Sequence, residues 1–182
     1  MIISNRIPYQ FFTAKGIGES QHTHHAGSFH LALMDAGIET QNIITYSSIL
    51  PPEAVEIEKP EILKHGAVME CIMSKCDGRR DERLSAGIAY AWLYNEEDTK
   101  MGGIVVERNG NYDEDTLKEV LDNSIYELKN KSFSHYRLDD EINYIIQTFE
   151  PNEQYGTALV ALCFVNYIVE EDDTSKYITV QK

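Results

Sequence analysis

Apolar residues recur along this chain mostly at every second position, and in two stretches at every third or fourth. Ile7 to Ala14 is apolar and aromatic enough for a first strand, and Gly16-Ile17-Gly18-Glu19-Ser20 follows it as a turn. Gln21-His22-Thr23-His24-His25 reads as a solvated polar loop. From Ser28 to Ala36, Phe29, Ala32, Leu33 and Ala36 share one face of a short helix, with Ser28 at its N-cap and Gly37 at C′. A strand over Gln41 to Ser47 leads into Ser48-Ile49-Leu50-Pro51-Pro52, and Glu53 to Leu63 is polar and irregular. Lys64 to about Ser74 is a further strand, and Asp77 to Asp81 a charged turn. Leu84, Ala86, Ile88, Tyr90, Trp92 and Tyr94 alternate with small or polar partners, which predicts a strand with one buried face. Asn95 to Lys100 turns the chain, Met101 to Glu107 is a strand, and Asn109-Gly110-Asn111 closes it. Asp115 to Asn130 is the clearest helix: Leu117, Val120, Leu121, Ser124, Ile125 and Leu128 keep the helical period, and Asp113, Glu114 and Asp115 favour its N-terminal dipole. Glu141 to Phe149 is a strand. Tyr155 to Val169, nearly all apolar, suits a strand covered on both faces.

Few helices and many strands predict an α+β fold with helices layered over sheet. The 182 residues fit one domain, residues 1–169, followed by an acid-rich and mobile tail, 170–182. Thirty acids against 16 bases give a net charge of -14, which argues against nucleic acid and against anionic membrane surfaces as partners. The charge is compatible with a cationic small molecule, though solubility explains it equally well. No apolar run approaches the roughly 20 residues of a membrane span, and Met1 to Arg6 lacks the apolar core of a signal peptide. Cys71, Cys76 and Cys163 form no CxxC; an odd count without a secretion signal predicts reduced thiols in a cytoplasmic protein. No metal is predicted: the histidines of the 21–25 loop lack a completing frame, and Gly16-Ile17-Gly18 fails the dinucleotide fingerprint at Gln21.

The candidate chemistry lies in Asn42-Ile43-Ile44-Thr45-Tyr46-Ser47-Ser48-Ile49-Leu50-Pro51-Pro52. The prolines lack backbone donors and push the residues before them into extended geometry, so a strand stops abruptly with two serines at its end. On its own the pair is a strand ending in a Ser-Ser turn, which is common. Chemically it can also be a cleavage site. If Ser48 Oγ attacks the carbonyl of Ser47, the peptide becomes an ester by an N-to-O acyl shift. Elimination then leaves a dehydroalanine, and hydrolysis a pyruvoyl group capping residue 48.

This segment resembles the self-cleavage site of the pyruvoyl-dependent arginine decarboxylases. Gly16 to Ser20, Ala32-Leu33…Ala36-Gly37-Ile38, Lys64 to Val68 and Gly102-Gly103-Ile104-Val105-Val106-Glu107 stand around it in the family's order. The resemblance runs from Phe11 to about Tyr167. It implies a four-layer αββα sandwich of mainly antiparallel sheets, cut into chains 1–47 and 48–182, whose protomers form a homotrimer or a dimer of trimers. It implies L-arginine as the substrate, turned to agmatine and CO2 through a Schiff base with a covalent pyruvoyl cofactor made from Ser48, in acid tolerance or polyamine supply. Ser47 becomes the new C-terminus of the small chain, and Ile49 lines the substrate site. Asn42 matches a position that assists cleavage; from its residue type alone it is a turn residue entering the strand. Glu107 matches the proton donor, a role that suits a carboxylic acid of raised pKa; alone it is an exposed glutamate at a strand end. His30 departs from the pattern, because the arginine-specific members carry an aspartate there facing the guanidinium, and imidazole cannot make that bidentate charge-assisted contact. Asp35 lies about 140° further round the helix and is a poor stand-in. Two alternatives stay open: a pyruvoyl decarboxylase of another amino acid, and an unprocessed, non-catalytic relative.

Overall fold

The computed structural model describes residues 4–171. In chain order its elements are β1 (Ser4–Ser20), a helical turn (His24–Phe29) running into α1 (His30–Ala36), β2 (Asn42–Thr45), β3 (Ile49–Leu50), β4 (Val55–Glu56), β5 (Val68–Arg79), β6 (Leu84–Tyr94), β7 (Lys100–Gly110), α2 (Glu114–Ser132), β8 (Arg137–Leu138), β9 (Asn143–Phe149) and β10 (Tyr155–Glu171). They form the α+β arrangement expected: two helical elements and two sheets. The first sheet has the order β2-β5-β10-β1-β4 and is mixed, with β2 parallel to β5 and β4 parallel to β1. The second runs β3-β7-β6-β8, with β9 also on β6, and its pairings are antiparallel.

Three buried clusters explain the order of packing. Between the sheets lie Phe11, Ile72, Ile88, Val105, Leu162 and Phe164. Beneath α1, on the other face of the first sheet, lie Phe12, Leu33, Ile38, Leu159 and Cys163. Beneath α2, on the far face of the second, lie Ala89, Ile104, Leu117, Leu121 and Ile125. Adjacent Phe11 and Phe12 therefore point to opposite sides of one strand, and both are fully buried. β10 carries two buried faces for the same reason, as its continuous apolar run predicts.

Several boundaries differ from expectation, each for a packing reason. Gly16-Ile17-Gly18 is not a turn; β1 runs through it, paired to β10 as far as Ser20. The glycines are there because α1 lies on the strand: a Cβ at position 18 would fall 2.1 Å from the Ser28 carbonyl oxygen, and one at position 16 would fall 2.2 Å from that of Ala32. Gly18→Ala is accordingly expected to cost about 3 kcal/mol, read by chemical denaturation, because the obstructing atoms are backbone and α1 must lift. Ser28 is not an N-cap, since the helical turn begins four residues earlier at His24. Its buried hydroxyl bonds instead with Thr157 Oγ1 at 2.8 Å. That turn also takes in His24 and His25, which were expected in a loop.

β6 is covered on both faces rather than one. The small residues between its large ones admit α2 closely, and a Cβ at Gly87 would sit 2.9 Å from Leu121 Cδ1. β5 continues through most of the expected Asp77–Asp81 turn, and the irregular 53–63 stretch contains β4. The helix ends read well: Gly37 adopts φ +68°, and Asp113 accepts the Thr116 N–H at 2.8 Å. The 170–182 tail begins as strand, with Glu170 and Glu171 closing β10, and 172–182 lie outside the described residues. Among the described residues no helix is long and apolar enough to cross a membrane.

Candidate active site

The Ser47–Ser48 peptide lies where the chain passes from one sheet to the other. On its N-terminal side, β2 is bound to β5, and the Tyr46 N–H extends that ladder to the Cys71 carbonyl at 2.7 Å. On its C-terminal side, the Ser48 carbonyl accepts the Val105 N–H at 2.9 Å, and β3 continues along β7 through Ile49–Ile104 and Leu50–Gly103. Pro51 and Pro52 have no N–H to extend that ladder, so β3 stops after two residues with Leu50 buried. Gly102, at φ +136°, makes the close approach possible, since a Cβ there would meet the Leu50 carbonyl oxygen at 2.9 Å.

Ser47 therefore has one sheet anchored just before it and the other just after. The Ile49 N–H donates to the Ser47 carbonyl oxygen at 3.1 Å, closing a three-residue turn around Ser48. This donor points at the oxygen on which negative charge develops when a nucleophile adds to the Ser47 carbonyl. Ser48 is half-buried, and its Oγ donates to Glu107 Oε2 at 3.3 Å.

Glu107 stands near the end of β7, opposite Ile88 on β6. Burial raises its pKa above the usual carboxylate value; the Ser48 hydroxyl, the backbone N–H of Glu107 itself and the Arg108 charge pull it back only in part. Ser48 and Glu107 line a cavity of about 300 Å³ with Val105, Val106 and Arg108 on one side and Ser124, Glu127, Leu128 and Lys131 of α2 on the other. Ser124 Oγ donates back to Val120 O, and Glu127 pairs with Lys131 at the solvent-facing rim. Such an exposed pair contributes little to stability.

The structure thus brings Ser48 and Glu107 together but not the other candidates. Ile49 borders the turn, 52% exposed, and does not line this cavity. Asn42 stands at the far end of β2, where its Nδ2 donates to the Gly66 carbonyl at 2.8 Å. His30 is exposed at the start of α1, also outside the cavity. The backbone donors Val105 and Ile49 and the α2 wall were not identified from sequence. Backbone groups carry no residue-type signal, and only the α2 period placed Ser124 and Leu128 on the sheet-facing side.

A serine hydroxyl beside a carboxylate, with an N–H aimed at the preceding carbonyl, is a donor set suited to backbone acyl transfer. The sequence profile of the family described as Pyruvoyl-dependent arginine decarboxylase (PvlArgDC) matches residues 10–169. The chain belongs to this family. Among curated pyruvoyl-dependent arginine decarboxylases, a probable one from Chlorobaculum parvum is 35% identical over 127 residues, covering 63% of this chain and 68% of that protein. Pyruvoyl-dependent arginine decarboxylase 1 of Archaeoglobus fulgidus is 36% identical over 128 residues, 68% of this chain and 78% of that protein. Pyruvoyl-dependent arginine decarboxylase 2 of Methanosarcina mazei is 40% identical over 96 residues, 50% of this chain and 51% of that protein. A solved structure of pyruvoyl-dependent histidine decarboxylase at pH 8 aligns over 57% of this chain and 53% of that chain, with a TM-score of 0.39 and 19% identity. Membership makes the chain a carboxy-lyase of the pyruvoyl-dependent kind.

Proposed function

We propose that the chain cuts itself between Ser47 and Ser48 and then decarboxylates L-arginine to agmatine and CO2. The observation that carries this reading is the meeting of Ser48 Oγ, Glu107 Oε2 and the Ile49 N–H around one peptide bond. Ser48 Oγ adds to the Ser47 carbonyl carbon, the C–N bond breaks, and the freed nitrogen takes the hydroxyl proton. Loss of the residue-48 Cα proton then expels the Ser47 carboxylate from Cβ, and one water replaces ammonia to leave a ketone. The balance needs no oxidant. The pieces are residues 1–47 and 48–182. They stay together because β2 is held in the first sheet and β3 in the second, with the inter-sheet core unbroken.

A pyruvoyl ketone condenses with an amino-acid amine and accepts the electron pair of the breaking Cα–carboxylate bond. The chain's own residues do the rest. Glu107, half-buried and of raised pKa, holds the proton that replaces CO2 on the product's Cα. Val106 and Leu128 give the cavity apolar wall beside Glu107. The outer positions of α1 and α2, with the sheets between them, support the four-layer αββα order.

Arginine is proposed as the substrate because the relatives' names carry it. His30 does not line the cavity within one chain, so it meets substrate only if a second copy brings it there, as the proposed trimer would. On that arrangement His30→Asp supplies a carboxylate for the guanidinium. It is expected to lower KM for arginine about tenfold, with kcat little changed, in a CO2-release assay. The same assay over a panel of amino acids tests the substrate. Release from another amino acid in preference to arginine would replace arginine, and release from none would remove the decarboxylase reading.

A further inference from the structure

Tyr46, immediately before the scissile pair, is anchored far more firmly than a loop residue needs. Its N–H is bound to Cys71 O, and its ring packs against Phe164 at 5.7 Å between centroids. Its hydroxyl enters a polar cluster with Arg6, Glu70 and Tyr167, drawn from β1, β5 and β10. Arg6 donates to the Tyr46 hydroxyl at 3.2 Å and forms an ion pair with Glu70. The Arg6 guanidinium also lies over the Tyr167 ring, 4.5 Å from its centroid. Glu70 is 6% exposed, between the apolar pairs Val68-Met69 and Cys71-Ile72 of β5. Burial pushes its pKa up, but the nearby Tyr167 and Tyr46 hydroxyls and the Arg6 guanidinium outweigh burial and hold it below the usual carboxylate range. Glu70 is thus an ionised carboxylate paired with Arg6, whose guanidinium also holds the Tyr46 hydroxyl and lies over the Tyr167 ring.

A buried carboxylate in an ion pair is a poor way to add stability, because desolvation consumes most of the Coulombic gain. It is a good way to fix geometry, since each partner has one low-energy position. What it fixes here is Tyr46, one residue before the carbonyl that Ser48 Oγ must reach. On the other side, the Val105 N–H already fixes Ser48. With both flanks held, Ser47 cannot swing its carbonyl away from the hydroxyl.

We propose that the Arg6–Glu70–Tyr46–Tyr167 cluster is the positioning device for self-cleavage, holding the acyl side of the Ser47–Ser48 peptide against the Ser48 hydroxyl. These are positioning residues, and the inference rests on the self-processing reading above. They act before the enzyme is mature: once the peptide is cut, the Ser47 carbonyl has done its work and the cluster has no part in turnover.

The test follows cleavage of freshly translated full-length chain by intact mass spectrometry at fixed times, for wild type, Tyr46→Phe, Tyr167→Phe and Glu70→Gln. The two Phe variants keep the rings and lose only a hydroxyl each, so they fold even if Glu70→Gln does not. Tyr46→Phe is expected to slow cleavage at least tenfold, and Tyr167→Phe severalfold. Fully cut material of either should have wild-type kcat per reactive carbonyl, a split that a general packing defect does not produce. Cleavage of both Phe variants at the wild-type rate overturns the positioning role. So does a kcat loss, per carbonyl, as large as the cleavage loss. A wild-type chain that stays uncut overturns the self-processing reading itself, and that arm is read separately.

Discussion

Replacing Ser48 with alanine is expected to leave one uncut chain of 182 residues, no hydrazine-reactive carbonyl, and no decarboxylation above background. The reason is that, in the processing proposed above, this one oxygen does two jobs. It is the nucleophile that turns the Ser47–Ser48 amide into an ester, and its Cβ–O bond is the one that breaks when the ketone precursor forms. No neighbour replaces it: Ser47 Oγ is on the wrong side of the scissile carbonyl. Folding should hardly change, since the half-buried hydroxyl makes one 3.3 Å bond to Glu107, worth about 1 kcal/mol. A single cooperative thermal transition with complete loss of cleavage therefore separates chemistry from structure. Intact mass spectrometry and a hydrazine label read both outcomes. Undiminished CO2 release from Ser48→Ala would show that the ketone does not arise at residue 48, whereas a wild type that stays uncut and releases no CO2 would favour the unprocessed, non-catalytic relative.

The long elements were legible because their signals are local. The α2 period, the Gly37 cap and the two-sided apolar run of β10 each follow from spacing within a few residues. What was missed depended on partners distant in sequence. β3, β4 and β8 are two residues each, too short for any periodicity, and exist only through pairing with β7, β1 and β6. Gly16 and Gly18 read as a turn because glycine usually marks one; the backbone lying across them belongs to a segment ten or more residues later. At the site, Ser48 and Glu107 are 59 positions apart, and no spacing rule joins them; only the family's motif order paired them before the fold did. Glu70 had a legible sign, a lone acid among Val68, Met69, Cys71 and Ile72, but nothing local names Arg6 as its partner. The family motif also grouped Asn42 and His30 with this site, and within one chain both lie away from the cavity.

Glu107→Gln is expected to be cut but to decarboxylate roughly 10² to 10⁴ times more slowly than wild type, the range for removing a positioned general acid. Cutting survives because the glutamine amide oxygen still accepts from the Ser48 hydroxyl. Turnover does not, because an amide has no proton to deliver to Cα at a useful rate. In the wild type, burial raises the Glu107 pKa, so its acid form persists to higher pH than that of an exposed glutamate. The hydroxyl of Ser48 is among the groups that lower that pKa, and the proposed processing consumes it. The cut enzyme therefore keeps Glu107 protonated to higher pH still, which is the state the proton donor needs. It follows that kcat falls as pH rises through this raised value, and that the Gln variant's residual rate lacks that limb. Stability carries the same sign. A carboxyl whose folded pKa lies above its unfolded one binds its proton more tightly in the native state. Its contribution is fully present below the unfolded value and is lost as pH rises through the folded one. Denaturant midpoints of Glu107→Gln measured across that window should decline less with pH than those of the wild type. A Gln variant with wild-type kcat, or with the same alkaline limb, would move the proton donor to another group on the cavity wall.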